Sequence, residues 1–264
     1  MSLPRSREHV PRLVELDAVA STNTELVARA ADPAEPDFST LVTFDQTAGR
    51  GRLGRSWVAP RGSALAVSVL LRPRLPAGEP LALERYGWFA LAAGVAMTDA
   101  VRSVLPEAAS VGFKWPNDVL IDGRKVCGVL AEILGSGDGL VVGAGLNLTM
   151  TAEQLPVPTA TSLALAGADP AELADRALSG YLAGLRSLVT EYLRLGGDAE
   201  ASGLLARARE CCVTLGRSVR VELPGDAELI GTAIDLDAAG RLQVKRGSDG
   251  RVVAVAAGDV THVR

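Results

Sequence analysis

The sequence predicts an α+β fold: a large domain of strands and helices, residues 1–213, followed by a small β-barrel, residues 214–264. Three observations carry this expectation. Apolar, β-rich runs such as 41–45 and 64–71 sit among stretches of helical length and spacing. After Gly216 the pattern changes to four short alternating segments within about 50 residues, as a small barrel requires. A chain of 264 residues that is 48% hydrophobic can also bury one sizeable core and a second, smaller one.

The elements follow in order. Thr22 and Glu25 have capping-box spacing and open a short helix near Asn23 that ends before Pro33. Runs 41–45 and 64–71 read as strands on either side of a glycine-arginine loop. Residues 84–105 have helical length and end at Pro106; Trp88, Phe89, Val95 and Met97 on it are core candidates. Strands are expected at 111–115, 119–121, 125–134 and 140–148. Asp122-Gly123 gives a hairpin turn, and residues 135–139 give a looser one. Residues 150–161 form a loop, 170–195 a long amphipathic helix, and 198–211 a second helix. The small domain holds strands at 218–223, 229–236, 242–245 and 252–256, punctuated by Gly225, Gly240 and Asp249-Gly250.

Composition narrows the function. The net charge of −4 argues against a general affinity for nucleic acid. No uninterrupted apolar stretch has the ~18 residues of a membrane span, and the N-terminus lacks the apolar segment of a signal peptide. A cytoplasmic protein is expected. Cys127, Cys211 and Cys212 lack metal-binding spacing and read as reduced, buried thiols, with Cys127 in the core. With only His9 and His262, one near each end, no histidine-centred triad or zinc site is expected.

Against this acidic background, residues 46–78 hold six arginines and no acidic residue. Three of them, Arg50, Arg52 and Arg55, fall in Gly49-Arg50-Gly51-Arg52-Leu53-Gly54-Arg55-Ser56-Trp57. Glycine lets the backbone fold closely round a ligand, and each guanidinium offers a planar fork of donors to carboxylate or phosphate. The spacing also fits a dinucleotide fingerprint, but no helix opens after it and Arg74 stands where the acidic residue belongs. Kinase and P-loop readings fail for want of His-Arg-Asp and Gly-Lys-Ser/Thr segments.

Two further segments are Lys114-Trp115-Pro116-Asn117-Asp118 and Gly123-Arg124-Lys125-Val126-Cys127-Gly128-Val129-Leu130-Ala131-Glu132. With Ser21-Thr22-Asn23, Gln46, the arginine loop and Gly143-Ala144-Gly145-Leu146-Asn147, in this order, the chain resembles the biotin protein ligases from about Asp17 onward. The resemblance implies a mixed-sheet catalytic domain of the biotin/lipoate ligase type, flanked by helices and followed by an SH3-like domain. It implies biotin as substrate, ATP with Mg²⁺, and a biotin carboxyl carrier domain as protein partner; it allows a weak homodimer. Some relatives carry an N-terminal winged helix-turn-helix. Sixteen residues precede Asp17, too few for one, so no DNA partner is expected.

Residue by residue, the resemblance gives biotin contacts to Ser21, Thr22, Asn23, Gln46, Arg50, Gly51, Arg52 and Lys125, with Gly49, Arg55 and Gly128 in the same ligand-binding set. Short neutral groups such as Ser21, Thr22, Asn23 and Gln46 suit a ureido ring, and a site that bonds a buried urea rejects analogues lacking it. Thr22 also suits simple helix capping. Lys125 and Arg52 would flank the biotin carboxylate and the α-phosphate, although a lysine beside Asp-Gly is commonly a solvated hairpin residue. Asn117 and Asn147 offer amide oxygens to phosphate or Mg²⁺, or stabilise turns. Asp118 is either a partner for the acceptor lysine or a turn carboxylate. Trp57 either stacks on adenine or the biotin chain, or anchors the loop. Lipoate ligation and a non-catalytic biotin sensor are the alternatives. ATP–pyrophosphate exchange with each acid separates the first, and product on a carrier domain separates the second.

Overall fold

The computed structural model describes residues 2–223, 228–256 and 258–263. A helical turn, α1 (Pro4–Arg7), precedes β1 (Leu13–Leu16) and α2 (Thr22–Arg29). Next come β2 (Thr40–Thr43), the two-residue strands β3 (Gly49–Arg50) and β4 (Ser56–Trp57), β5 (Ala64–Leu71) and α3 (Gly87–Val104). Four strands follow, β6 (Val111–Lys114), β7 (Asp118–Ile121), β8 (Arg124–Ile133) and β9 (Leu140–Asn147), then α4 (Leu173–Arg194) and α5 (Leu204–Cys211). The C-terminal part holds β10 (Ser218–Glu222), β11 (Glu228–Leu236), β12 (Leu242–Arg246), β13 (Val252–Val255) and β14 (Asp259–His262).

A seven-stranded sheet in the order β1-β2-β5-β9-β8-β7-β6 organises the large domain. It is mixed because β1 and β2 run parallel while the other pairs are antiparallel. Strand alternation sorts its two faces. On β5, Leu65, Val67, Val69 and Leu71 join the main core with Trp88, Phe89, Val95 and Met97 of α3. Leu70 points the other way, into a small cluster with Leu26 of α2, Leu41 and Val141. The face under α2 therefore begins apolar, and the candidate site occupies its continuation.

The small domain is a five-stranded antiparallel sheet in the order β13-β12-β11-β10-β14. Its alternate residues Val219, Val221, Ala233, Leu242 and Val244 are buried and merge with the main core. Two buried tryptophans tie it to the large domain: Trp88 Nε1 donates to Ala238 O at 2.9 Å and Trp115 Nε1 to Gly240 O at 3.0 Å. Gly240 holds φ +76°, a left-handed conformation that suits glycine.

Several expectations need correction. The cap of α2 is Ser21, whose Oγ accepts from Thr24 N at 3.4 Å, so no Thr22–Glu25 capping box forms. Thr22 turns to Gln46 and Glu25 pairs with Arg29 instead. The helix expected over 198–211 is only Leu204–Cys211, because Asp198 folds back onto the amides of Glu200 and Ala201 and Gly203 takes φ +73°. Strands β1 and β14 lay unseen in the sequence, as did the β3–β4 pairing inside the arginine loop. Asp122 and Gly123, at φ 48° and 77°, do form the hairpin turn. The turn assigned to Gly225 lies outside the described residues.

Candidate active site

Cross-strand registers build the floor of the site. Under α2, Ser68 of β5 pairs with Gly143 of β9, which pairs with Leu130 of β8. One row further, Ala66 pairs with Gly145, Gly145 with Gly128, and Gly128 with Asp118 of β7. Direct partners project to the same face. Three glycines on that face leave room for functional side chains. A Cβ at residue 143 would collide with Asn23 Oδ1, one at 145 would reach 2.8 Å from the Trp57 ring, and one at 128 would reach 3.0 Å from Lys125 Nζ.

A hydrogen-bonded network fixes the α2 end. Gln46 Oε1 accepts from Thr22 N at 2.8 Å and Thr22 Oγ1 at 3.1 Å. Asn23 Nδ2 donates to Glu132 Oε2 at 2.7 Å and Leu130 O at 3.2 Å. Ser68 Oγ lies 2.6 Å from Asn23 Oδ1 and 2.8 Å from Thr22 Oγ1, with one proton to give. The Asn23 amide nitrogen is thus spent on partners inside the protein, at a residue that also lines the pocket. The Arg50 guanidinium is likewise engaged, bonding Glu132 at 2.9 and 3.0 Å and Thr24 Oγ1 at 3.0 Å.

The opposite end is cationic, and a β-bulge aims its central residue. Along β8, Cys127 and Val129 face the main core while Gly128 and Leu130 face the pocket. Regular alternation would send Lys125 to the core side with Cys127. Instead the register slips between Val119 and Leu120, so Val126 is an extra core residue and Lys125 turns onto the pocket face. There its Nζ sits 2.6 Å from Asp118 Oδ1. This ion pair lacks hydrogen-bond alignment, and Asp118 Oδ1 is buried without an aligned donor.

The arginine loop closes over this end. Arg52 donates to Asn117 Oδ1 at 3.0 Å and to Gly258 O of the small domain at 3.2 Å, and Arg55 pairs with Asp259. Burial pulls the Arg52 pKa below its usual value, opposed by Asp259 and Asp118. Its cost is offset by the bonds it makes. Among the described residues no cluster of three or more His, Cys, Asp or Glu could hold a metal, and no helix is long and apolar enough to cross a membrane.

The pocket thus gathers Ser21, Thr22, Asn23, Gln46, Arg50, Gly51, Arg52, Arg55, Trp57, Asn117, Asp118, Lys125 and Gly128, residues far apart in sequence. Gly49 lies just behind, against Gln46 and Trp57. Asn147 does not line the cavity; it is buried and donates to Thr161 O at 2.9 Å, holding the loop after β9. Ser68 and Asp259 escaped the sequence reading. Ser68 is a lone hydroxyl at a pocket-face position of an apolar strand, a signal strand parity can expose. Asp259 carries no local signal, because its partner Arg55 is 204 residues away.

Comparison with known proteins places the chain in a family. The family model described as Biotin/lipoate A/B protein ligase family matches residues 17–147, and Biotin protein ligase C terminal domain matches residues 214–263. A biotin–[acetyl-CoA-carboxylase] ligase of Mycobacterium tuberculosis is 40% identical over 257 residues, covering 95% of this chain and 90% of that protein. A bifunctional ligase/repressor of Salmonella typhimurium is 30% identical over 238 residues, 88% of this chain and 68% of that protein. The structure of the biotin protein ligase from Aquifex aeolicus in complex with biotin and ATP superposes with a TM-score of 0.70 at 25% identity, covering 96% of this chain and 99% of that one. Matched along nearly its whole length in sequence and in fold, the chain belongs to the biotin protein ligase family.

Proposed function

We propose that this protein is an ATP-dependent ligase that makes biotinyl-5′-AMP and transfers biotin to one lysine of a biotin carboxyl carrier domain. The observation that carries this reading is the two-ended pocket. One end is a neutral hydrogen-bonding wall of Ser21, Thr22 and Gln46; the other is a cationic end of Lys125 and Arg52, brought to one floor by strand register. A bicyclic urea with an acid chain has the same polarity along its length.

In the first half-reaction a biotin carboxylate oxygen attacks the α-phosphorus of ATP. The bond to the bridging oxygen breaks, and pyrophosphate departs. In the second, the ε-amine of the carrier lysine attacks the acyl carbon, AMP leaves, and the amine loses a proton, which Asp118 would accept. Neither step calls for an enzyme nucleophile. Lys125 and Arg52 oppose charge developing on the α-phosphate, held in position before reaction. Trp57, spread over Gly145, would cover the acyl chain and exclude water.

The donor set suits a magnesium ion carried in on the nucleotide. Mg²⁺ keeps most of its shell as water and phosphate and takes one or two protein oxygens. Asp118 Oδ1, once Lys125 turns from it to the phosphate, and Asn117 Oδ1, which accepts from Arg52 here, would supply these. The ion would neutralise phosphate charge. Residues 1–213 and 214–264 act together as one catalytic unit in the cytoplasm. Incubation with biotin, Mg·ATP and a purified carrier domain should add the mass of one biotinyl group to the carrier. An unmodified carrier, with biotin and ATP bound, would leave a sensor rather than a ligase.

A further inference from the structure

The cross-strand row that forms the cationic end does not stop at Asp118. After Ala66, Gly145, Gly128 and Asp118, the next direct partner is Lys114 on the edge strand β6. Neighbouring strands lie about 4.8 Å apart and direct partners share a face, so Lys114 stands on the pocket face one strand beyond Asp118. It is half-buried, and among the described residues its ammonium makes no ion pair.

The groups facing it come from every element nearby. Asp118 lies on its own sheet, Lys125 on β8, Arg55 on the loop, and Asp259 and His262 on β14 of the small domain. Both carboxylates are already engaged, Asp118 by Lys125 and Asp259 by Arg55. Four cations, Arg52, Arg55, Lys114 and Lys125, therefore share two carboxylates at the junction of the domains. Burial lowers the Lys114 pKa from its ordinary value, opposed by Asp118 and Asp259. Such a junction is built for an anion that arrives with its own charge.

The in-line geometry of phosphoryl transfer says which anion. If biotin lies along the floor with its carboxylate at Lys125, the nucleophile approaches the α-phosphorus from the Ser68 side. The leaving oxygen must then point away from that side, along the row toward Asp118, Lys114 and the small domain. We propose that Lys114 is a further catalytic residue, the cation that binds the departing pyrophosphate. This assignment rests on the ligase reading and extends it to a residue on the edge strand.

The two half-reactions separate the roles. Lys114→Met should slow biotin-dependent ATP–pyrophosphate exchange on the order of 10² and raise the KM for pyrophosphate, with biotin affinity unchanged. Transfer from supplied biotinyl-5′-AMP to a carrier domain involves no pyrophosphate and should proceed at the wild-type rate. Lys114→Arg should restore part of the exchange, and Lys114→Gln repeats the test with a polar neutral side chain if the methionine variant folds poorly by circular dichroism. Exchange at the wild-type rate in a folded variant, or an equal loss in both half-reactions, would overturn the assignment. Absence of exchange in the unaltered protein would instead sink the ligase reading itself.

Discussion

At the scale of single residues, the site depends on one charge and on missing side chains. Lys125 is the cation that a bulge turns onto the floor, and its side chain is partly exposed, so Lys125→Ala should cost little stability. Biotin-dependent exchange should nevertheless fall by a factor on the order of 10²–10³, the typical cost of losing one preorganised electrostatic contact. Lys125→Arg should rescue poorly, because a planar fork cannot sit in the compact space between Asp118 and Gly128. Near-normal exchange by a folded Lys125→Ala protein would remove the lysine from the mechanism. Gly143→Ala tests the opposite property: its new methyl group would push on Asn23 and misalign the wall. Overpacking of this kind costs about 1–3 kcal/mol, so biotin affinity by calorimetry should drop roughly tenfold or more. Unchanged affinity would mean the wall yields freely. Burial pushes the Cys127 thiol up to about 12, with Lys125 opposing. Being neutral at pH 8 and enclosed, it should resist alkylation until the protein is unfolded, as mass spectrometry would show.

At the scale of elements, strand parity made much of the sheet legible in the sequence, and irregularity hid the rest. The runs that became β5 and β9 are long and apolar, so their positions could be read; which face each residue takes follows from alternation once the partners are known. The bulge at Val126 could not be read, because Val126 and Cys127 are both apolar and nothing local tells which one is extra. The α2 cap slipped by one residue because Ser21 and Thr22 are both good caps, and only the position of Gln46 decides between them. Deleting Val126 joins Lys125 directly to Cys127, so regular alternation keeps Lys125 on the pocket face and removes only one core side chain. The expected result is a lower melting temperature from the lost burial, with biotin-dependent exchange retained. Loss of exchange in a folded deletion variant would show that the bulge does more than set the face of Lys125. The arginine run was legible as a loop between two strands, but its fastening to the small domain was not. Arg55→Ala cuts the pair with Asp259 and should let biotinyl-5′-AMP escape, seen as labelling of lysines on unrelated proteins. A large fall in melting temperature with normal adenylate retention would make Arg55 a structural residue instead.

At the scale of the whole molecule, the small domain is a component of the site. Gly258 and Asp259 hold the arginine loop from the small domain. That domain is also tied to the large one by Trp88 Nε1 on Ala238 O, by Trp115 Nε1 on Gly240 O, and by a two-pronged ion pair from Arg209 to Asp235 at 2.6 and 2.7 Å with a further bond to Leu236 O at 3.0 Å. The composition change after Gly216 showed that a second unit existed; no local pattern showed where it docks, because docking depends on partners more than a hundred residues apart. If the two domains work as one body, loosening a remote tether should be felt at the pocket. Trp88 is 1% exposed and belongs to α3, well away from the floor. Trp88→Phe keeps most of the apolar volume but leaves the Ala238 carbonyl without its donor, at a cost of about 1–3 kcal/mol. A domain of this size should then melt several degrees lower, at roughly 2–4 °C per kcal/mol. The informative readout is the second one. With Gly258 and Asp259 less firmly placed, biotinyl-5′-AMP should dissociate faster from Trp88→Phe, while the affinity for biotin alone, set by the wall beneath α2, stays unchanged. If the variant melts lower yet releases the adenylate at the wild-type rate, the tether serves stability only, and the small domain holds the arginine loop independently of how it is docked.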